Sequence, residues 1–137
     1  MNVKLLNDFA ELCEFAGLDC EWENDYDIFV IDREPMPQYW EWHIDKYENR
    51  RVAVNQLVEF VEDIGWYDDL INYTRLMRKN ISIEQIKSII TVCRYTKYNF
   101  EVTNTGRIIL TYKDGGNIRK EHVSLLELVN RLLGEAA

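Results

Sequence analysis

Carboxylates and large aromatic side chains are interleaved in one stretch of the sequence, in a pattern that could bind a basic partner. Seven Asp or Glu residues fall within the sixteen positions from Asp19 to Glu34, and tryptophans occur within and just after this stretch. Rigid rings provide contact area at protein interfaces, and carboxylates steer an oppositely charged partner. The predicted partner-binding residues are Glu21, Glu23, Asp25, Asp27, Asp32, Glu34, Trp40 and Trp42.

The partner that suits such a surface is a basic protein that handles nucleic acid. Proteins of this kind place Arg and Lys in a groove to neutralise phosphates, and an acidic surface competes for the same groove. Solvation is the competing explanation. Acidic domains often carry diffuse negative charge for solubility, and in that case the tryptophans belong to the core.

A second set of chemically capable residues lies on one predicted strand. Glu41, His43 and Asp45 alternate along it, so they project from one face as metal ligands or an acid-base set would. Water-exposed strand faces normally carry such residues as well. The chain has no zinc-ligand spacing, phosphate loop, dinucleotide fingerprint or nucleophile elbow. We therefore expect no enzymatic activity, no cofactor and no bound metal.

Cysteine usage and hydropathy indicate a cytoplasmic protein. The odd number of cysteines, all at apolar positions of the pattern, is typical of reduced core residues: Cys13, Cys20 and Cys93. The sequence has no apolar run long enough to span a bilayer. Its N-terminal helix carries carboxylates, unlike a signal peptide. We expect no membrane partner.

The elements that must position these residues are clearest in the second half of the chain. Ser82 and Gln85 form a capping-box start, and apolar residues then recur at helical spacing. A strand ending at Val102 and a tight turn with Gly106 follow. The next strand, Ile108 to Leu110, is apolar at consecutive positions, which predicts a central strand covered on both sides. A third strand and a helix complete an αβββα order.

A similar pattern occurs 80 residues earlier. Its apolar positions follow the same order, although only Cys13, Glu21, Asn24 and Ile28 recur unchanged between positions 5 and 31. One interpretation is internal duplication. The other is two unrelated helix and hairpin segments, of a kind that any α+β protein contains. The sequence leaves both open.

The predicted fold is therefore α+β, with two tandem αβββα units that each pack a small antiparallel sheet on helices. Residues 1–65 form an acidic unit, residues 66–80 a connecting helix, and residues 81–137 a basic unit. The first turn of the connecting helix is acidic and its last turn carries Arg75, Arg78 and Lys79. These charges suit the helix dipole, so they are explained without a binding site.

Charge divides unequally along the chain. Residues 1–70 hold 18 acidic and 5 basic side chains, a net −13, whereas residues 71–137 hold 6 acidic and 11 basic side chains, a net +5. Such polarity steers a charged partner or favours head-to-tail association of copies.

The αβββα order resembles the double-stranded-RNA-binding domain. In that family, lysines at the start of the last helix hold RNA phosphates. The corresponding stretch here, Val123 to Glu127, contains no lysine, and neither does the stretch Val54 to Leu57 of the first unit. The binding residues of the family therefore do not transfer. A nucleic-acid-binding module remains the alternative function, with a basic face formed by Arg94, Lys97, Arg107, Lys113, Arg119 and Lys120.

In composition the chain looks like small acidic phage-type inhibitors, anti-CRISPR proteins among them, and like nuclease-immunity proteins. The leading hypothesis is a non-enzymatic inhibitor or adaptor that mimics nucleic acid and binds a protein such as a nuclease through its acidic half. An immunity protein and a charge-driven homo-oligomer are further alternatives.

Overall fold

The computed structural model describes residues 3–24, 27–32, 39–43, 49–65 and 68–135, and it describes only the backbone of residues 3, 19 and 135 and of those within 21–43. The described residues contain five helices and two three-stranded antiparallel sheets, so the predicted α+β class is confirmed. The chain divides into two compact units, Met1–Thr74 and Arg75–Ala137.

The first unit begins with helix α1 (Val3–Phe15) and continues with the strands β1 (Leu18–Asn24), β2 (Asp27–Asp32) and β3 (Tyr39–His43). The strands form a sheet in the order β1-β2-β3, with β2 in the centre. Helix α2 (Arg50–Ile64) follows, and helix α3 (Asp68–Met77) contains the boundary between the two units.

Helix α1 is amphipathic, and it carries a buried carboxylate beside its apolar stripe. Leu5, Phe9 and Leu12 are fully buried, and Asp8 on the same helix is only 6% exposed. Lys4 Nζ lies 3.2 Å from Asp8 Oδ2, and Arg50 Nη2 at the start of α2 lies 3.8 Å from the same oxygen. A buried charge requires such partners, so this cluster ties α1 to α2.

Helix α2 starts and ends at local signals. The Asn49 side chain accepts a hydrogen bond from the Arg51 N–H at 2.8 Å, and Gly65 ends the helix with φ +70°. Phe60 and Ile64 of this helix are apolar but only half-buried. The buried face consists of Ala53, Val54, Leu57, Val58 and Val61.

The second unit contains helix α4 (Ile83–Tyr95), the strands β4 (Asn99–Val102), β5 (Ile108–Asp114) and β6 (Asn117–Val123), and helix α5 (Leu125–Glu135). The capping box predicted at the start of α4 is confirmed. The Gln85 N–H donates to Ser82 Oγ at 3.2 Å, and the Ser82 N–H donates to Gln85 Oε1 at 3.3 Å.

The second sheet has the order β4-β5-β6, and its two faces are covered unequally. Val102, Ile108 and Leu110 are buried on one face. On the other face Ile109 is half-buried, because its neighbours across the sheet, Glu101 and His122, are exposed. The prediction that β5 is the central strand is confirmed, whereas the prediction that it is covered on both sides is wrong. Ile109 is therefore an apolar residue on a face of the sheet that is partly open to solvent.

Candidate functional site

The predicted acidic surface falls on the first sheet, whose backbone pairing is described. Glu21 of β1 pairs with Phe29 of β2, and Phe29 pairs with Glu41 of β3. Directly opposed residues of antiparallel strands share a face of the sheet. The register therefore places Glu21 and Glu41 on one face, two strands apart.

The two predicted tryptophans lie at the other set of register positions. Trp40 pairs with Val30, which pairs with Cys20, and Trp42 pairs with Ile28. Because successive residues of a strand alternate between faces, Trp40 and Glu41 belong to opposite faces. The backbone thus divides the predicted partner-binding residues between the two faces of the sheet.

The remaining residues of this predicted surface are less fully described. Asp25 and Glu34 lie outside the described residues, as does Asp45 of the predicted metal-ligating set. A register irregularity between Glu21 and Asn24 includes Glu23. The side chains of the other members lie outside the described part of the structure: Glu21, Glu23, Asp27, Asp32, Trp40, Glu41, Trp42 and His43.

The charge of the chain changes at the unit boundary. Met1–Thr74 holds 18 acidic and 5 basic side chains, and Arg75–Ala137 holds 6 acidic and 11 basic side chains. The net charges are therefore −13 and +5 for the two compact units. The overall charge of −8 suggests one uniformly acidic protein. The chain instead consists of an acidic unit and a basic unit.

The predicted basic residues of the second unit do not share one face. Lys113 and Lys120 are exposed on the open face of the sheet, beside Ile118, which is 66% exposed. Arg119 pairs with Tyr112 on the other face, and its Nε lies 3.9 Å from Asp114 Oδ2. Arg94 is exposed and lies in the last turn of α4. Arg107 is also exposed and lies immediately before β5.

Lys97, the remaining predicted basic residue, belongs to a cluster of cations around two tyrosines. The rings of Tyr98 and Tyr112 lie 5.3 Å apart, and Lys97 Nζ lies 5.4 Å and 5.6 Å from their centres. Arg131 of α5 lies 5.6 Å and 5.2 Å from the same centres. Both cations are within the range of cation–π attraction.

A carboxylate of β6 completes this cluster. Glu121 accepts a hydrogen bond from Arg131 and another from the Tyr112 hydroxyl at 3.0 Å. These two hydrogen bonds, that from Arg131 foremost, lower the pKa of Glu121. The cluster joins β5, β6 and α5, so its first role is structural.

Sequence reasoning missed a basic concave surface in the second unit, which we call the basic cleft. It has a volume of about 280 Å³ and is lined by Arg75, Arg78, Lys79, Thr103, Asn104, Thr105 and Gly106. Its three cations were explained by the helix dipole at the sequence level. Only the tertiary structure brings them to the β4–β5 turn, more than 20 residues further along the chain.

A second concavity adjoins the basic cleft. It has a volume of about 270 Å³ and shares Lys79 and Gly106 with the basic cleft. Arg107 adds a further positive charge, His122 adds an imidazole ring, and Leu125 begins α5 at its edge. Positive potential at the N-terminus of a helix favours anions as well.

Burial raises the pKa of two of the three thiols, those of Cys13 and Cys93. Burial raises the pKa of Cys13 well above its ordinary value, and the neighbouring Cys20 raises it further. Burial also raises the pKa of Cys93 to about 11. Since the thiolate is the nucleophilic form, both groups are held in their inert form at neutral pH.

In the part of the chain that the structure describes, no three His, Cys, Asp or Glu side chains are placed to hold a metal ion. None of the described helices combines the length and hydrophobicity that crossing a membrane requires. Comparison with protein-family models, with curated proteins and with solved structures finds no match to this chain.

Proposed function

We propose that this protein is a small non-enzymatic inhibitor or adaptor whose acidic unit binds a basic protein that handles nucleic acid. The observation that carries the proposal is the coincidence of two boundaries. The chain changes from net −13 to net +5 at the position where it divides into two compact units. The first unit is therefore strongly acidic, because most of the basic residues of the chain belong to the second unit.

The mechanism of such a protein is competition for a groove that otherwise holds phosphates. Long-range attraction accelerates the encounter, and like charges disfavour direct binding of the acidic unit to nucleic acid. Glu21, Asp27 and Glu41 belong to one face of the first sheet by backbone register. Acidic phage-type inhibitors and nuclease-immunity proteins act on such targets, and the proposal places this chain in that functional class.

We also propose that the two units arose by internal duplication. Helix α1 (Val3–Phe15) and helix α4 (Ile83–Tyr95) correspond at an offset of 80 residues at both ends. The same offset relates the strand pairing, since Cys20 pairs with Val30 and Phe100 pairs with Leu110. In this interpretation the two copies kept their buried pattern and diverged in charge.

The test is capture of a partner from host lysate at low salt, followed by competition. A protein bound through the acidic unit is released by added salt and by duplex DNA or RNA. The variant Glu21→Lys/Glu23→Lys/Asp25→Lys/Asp27→Lys should lose capture of that protein. Release that is insensitive to nucleic acid would contradict the proposal.

A matched control separates a local surface from net charge. Glu11, Glu14, Glu59 and Asp63 are exposed on α1 and α2 of the same unit, outside the first sheet. Changing these four to Lys alters the net charge by the same amount and should leave capture largely intact. Equal loss in both variants would show that net charge alone drives association.

A nucleic-acid-binding module is the second candidate, and one observation favours it. Lys113 and Lys120 are exposed together on the open face of the second sheet, beside the exposed Ile118. A gel-shift titration with duplex RNA, duplex DNA and single strands tests it. Binding that falls in Lys113→Gln/Lys120→Gln supports this candidate, and absence of any shift at low salt excludes it.

A further inference from the structure

We propose that the basic cleft of the second unit binds a phosphate group, carried either by a free phosphate compound or by a nucleic-acid strand. This inference does not depend on the function proposed for the acidic unit. It uses residues that lie outside the predicted basic face, apart from Arg107 at the margin.

The charge of the lining selects the ligand. Arg75, Arg78 and Lys79 line the basic cleft, and no Asp or Glu is among the described residues that line it. Guanidinium groups present several N–H donors in a planar fork that matches phosphate oxygens. Three cations around so small a space suit a group with more than one negative charge, which favours phosphate over a single carboxylate.

The walls of the basic cleft are held in place before any ligand arrives. Arg75 Nη1 donates to the carbonyl oxygen of Val102 at 2.7 Å, which fixes the guanidinium against β4. In the opposite turn, Thr103 Oγ1 accepts from the Arg107 N–H at 3.0 Å, and the Gly106 N–H donates to the Thr103 carbonyl at 2.9 Å. A preformed site loses little freedom on binding.

Gly106 permits the close position of the lysine. Its φ is +86°, and a Cβ at this residue would lie 3.3 Å from Lys79 Nζ. The amine therefore lies directly over the glycine, between the basic cleft and the adjoining concavity. A side chain at this position would strain the turn and displace the amine. Gly106 is therefore required both for the turn and for the position of the Lys79 charge.

The volume of the basic cleft limits the size of the ligand. At about 280 Å³ it lies below the range of roughly 300–1,000 Å³ typical of drug-sized ligand sites. One phosphate group suits this space. The adjoining concavity shares Lys79 and adds Arg107, so a second phosphate of a diphosphate or of a strand has a cationic neighbour.

The experiment is calorimetric titration of the full chain with pyrophosphate and with a short single-stranded oligonucleotide. The test variant is Arg78→Gln/Lys79→Gln. The control, Arg51→Gln/Lys87→Gln, removes the same charge from residues that line neither concavity and belong to no proposed binding face. We expect binding about tenfold weaker in the test variant, because hydrogen bonds to charged groups are lost, and near-normal binding in the control.

Salt dependence provides an independent readout with the oligonucleotide. Each phosphate contact contributes about 0.7 to the slope of log affinity against log salt for single strands, so losing two contacts flattens the slope by about 1.4. Binding of pyrophosphate alone identifies a free phosphate compound as the ligand. Tighter binding of the oligonucleotide identifies a strand, and both outcomes support a phosphate site.

Three results would overturn the inference: no binding of either probe at low salt, equal loss in test and control variants, or equally tight binding of a polyglutamate peptide. Amide NMR of the unmodified chain tests the site without a variant, so its result does not depend on whether a variant folds. Addition of pyrophosphate should shift the signals of Lys79, Thr105 and Gly106 most. Shifts confined to β6 would also contradict the site.

Discussion

The two units differ less in their arrangement of strands than in their charge, and the contrast shows which residues define each property. Glu21 pairs with Phe29 in the first sheet, and Glu101 pairs with Ile109 in the second, at the same offset of 80 residues. At the same offset, exposed Glu14 corresponds to exposed Arg94. Backbone pairing follows the buried pattern, whereas exposed positions are free to carry either sign.

Core positions that correspond at the offset of 80 residues should contribute similarly to the free energy of unfolding. Phe9 in α1 and Ile89 in α4 are both fully buried. We expect Phe9→Ala to lower the free energy of unfolding by about 3–5 kcal/mol and Ile89→Ala by about 2–5 kcal/mol, because each leaves a cavity. Chemical denaturation followed by circular dichroism measures both. A cost well below 1 kcal/mol at either position would break the equivalence.

Asp8 and its counterpart Ser88 should differ sharply. Asp8 is buried beside Lys4 and Arg50, whereas Ser88 is exposed. We expect Asp8→Ala to cost about 1–3 kcal/mol of unfolding free energy, since it removes a buried ionic hydrogen-bond partner, and Ser88→Ala to cost almost nothing. Thermal unfolding of the two variants provides the measurement. Equal effects would mean that the carboxylate cluster has no stabilising role.

The helix that follows each sheet begins at a capping side chain, and the two caps differ in chemistry. Asn49 accepts from the Arg51 N–H in the first unit, and Ser124 accepts from the Glu127 N–H at 3.1 Å in the second. Asn49→Ala and Ser124→Ala should each cost about 1 kcal/mol, because one N–H loses its acceptor. Denaturant midpoints test this, with Gln56→Ala on the exposed face of α2 as a control that keeps its cap.

The smallest expected effect is a pH dependence confined to the second unit. Because Arg131 and Tyr112 lower the pKa of Glu121, the stability that they confer is complete above the ordinary glutamate value of 4.5. It is lost as the pH falls through the lower pKa of the folded state. Arg131→Met should flatten this acid dependence of the melting temperature.

Arg119→Met is the matched control for that measurement. Arg119 lies 3.9 Å from Asp114, is more exposed than Arg131, and lowers the pKa of Glu121 less than Arg131 does. Its replacement should leave most of the acid dependence in place. Equal loss of the acid dependence in both variants would show that it arises from the general positive charge of β6 and α5. The cluster around Glu121 would then have no specific role.

Local signals predicted the elements well because they act over a few residues. The box of Ser82 and Gln85 starts a helix, and Gly106 adopts the positive φ that its turn requires. The inward face of α2 was harder to predict. Phe60 and Val58 are both apolar, and only packing decides that Val58 is buried while Phe60 is half-exposed to solvent.

The basic cleft could not be predicted for a related reason. Arg75, Arg78 and Lys79 read as ordinary charges at a helix end, and nothing in their spacing indicates a turn of the sheet as their neighbour. The hydrogen bond from Arg75 to Val102 spans 27 residues. Charge sign and helix ends are local properties, whereas convergence of distant cations depends on the packing of whole elements.

The unit boundary inside α3 has a practical consequence for dissecting the molecule. Thr74, the last residue of the first unit, hydrogen-bonds to the Leu70 carbonyl within the same helix, and Arg75 follows immediately. Cutting the chain there would expose a broken helix and leave Arg75 at a frayed end. A fragment meant to retain phosphate affinity should therefore begin before Asp68 and carry all of α3.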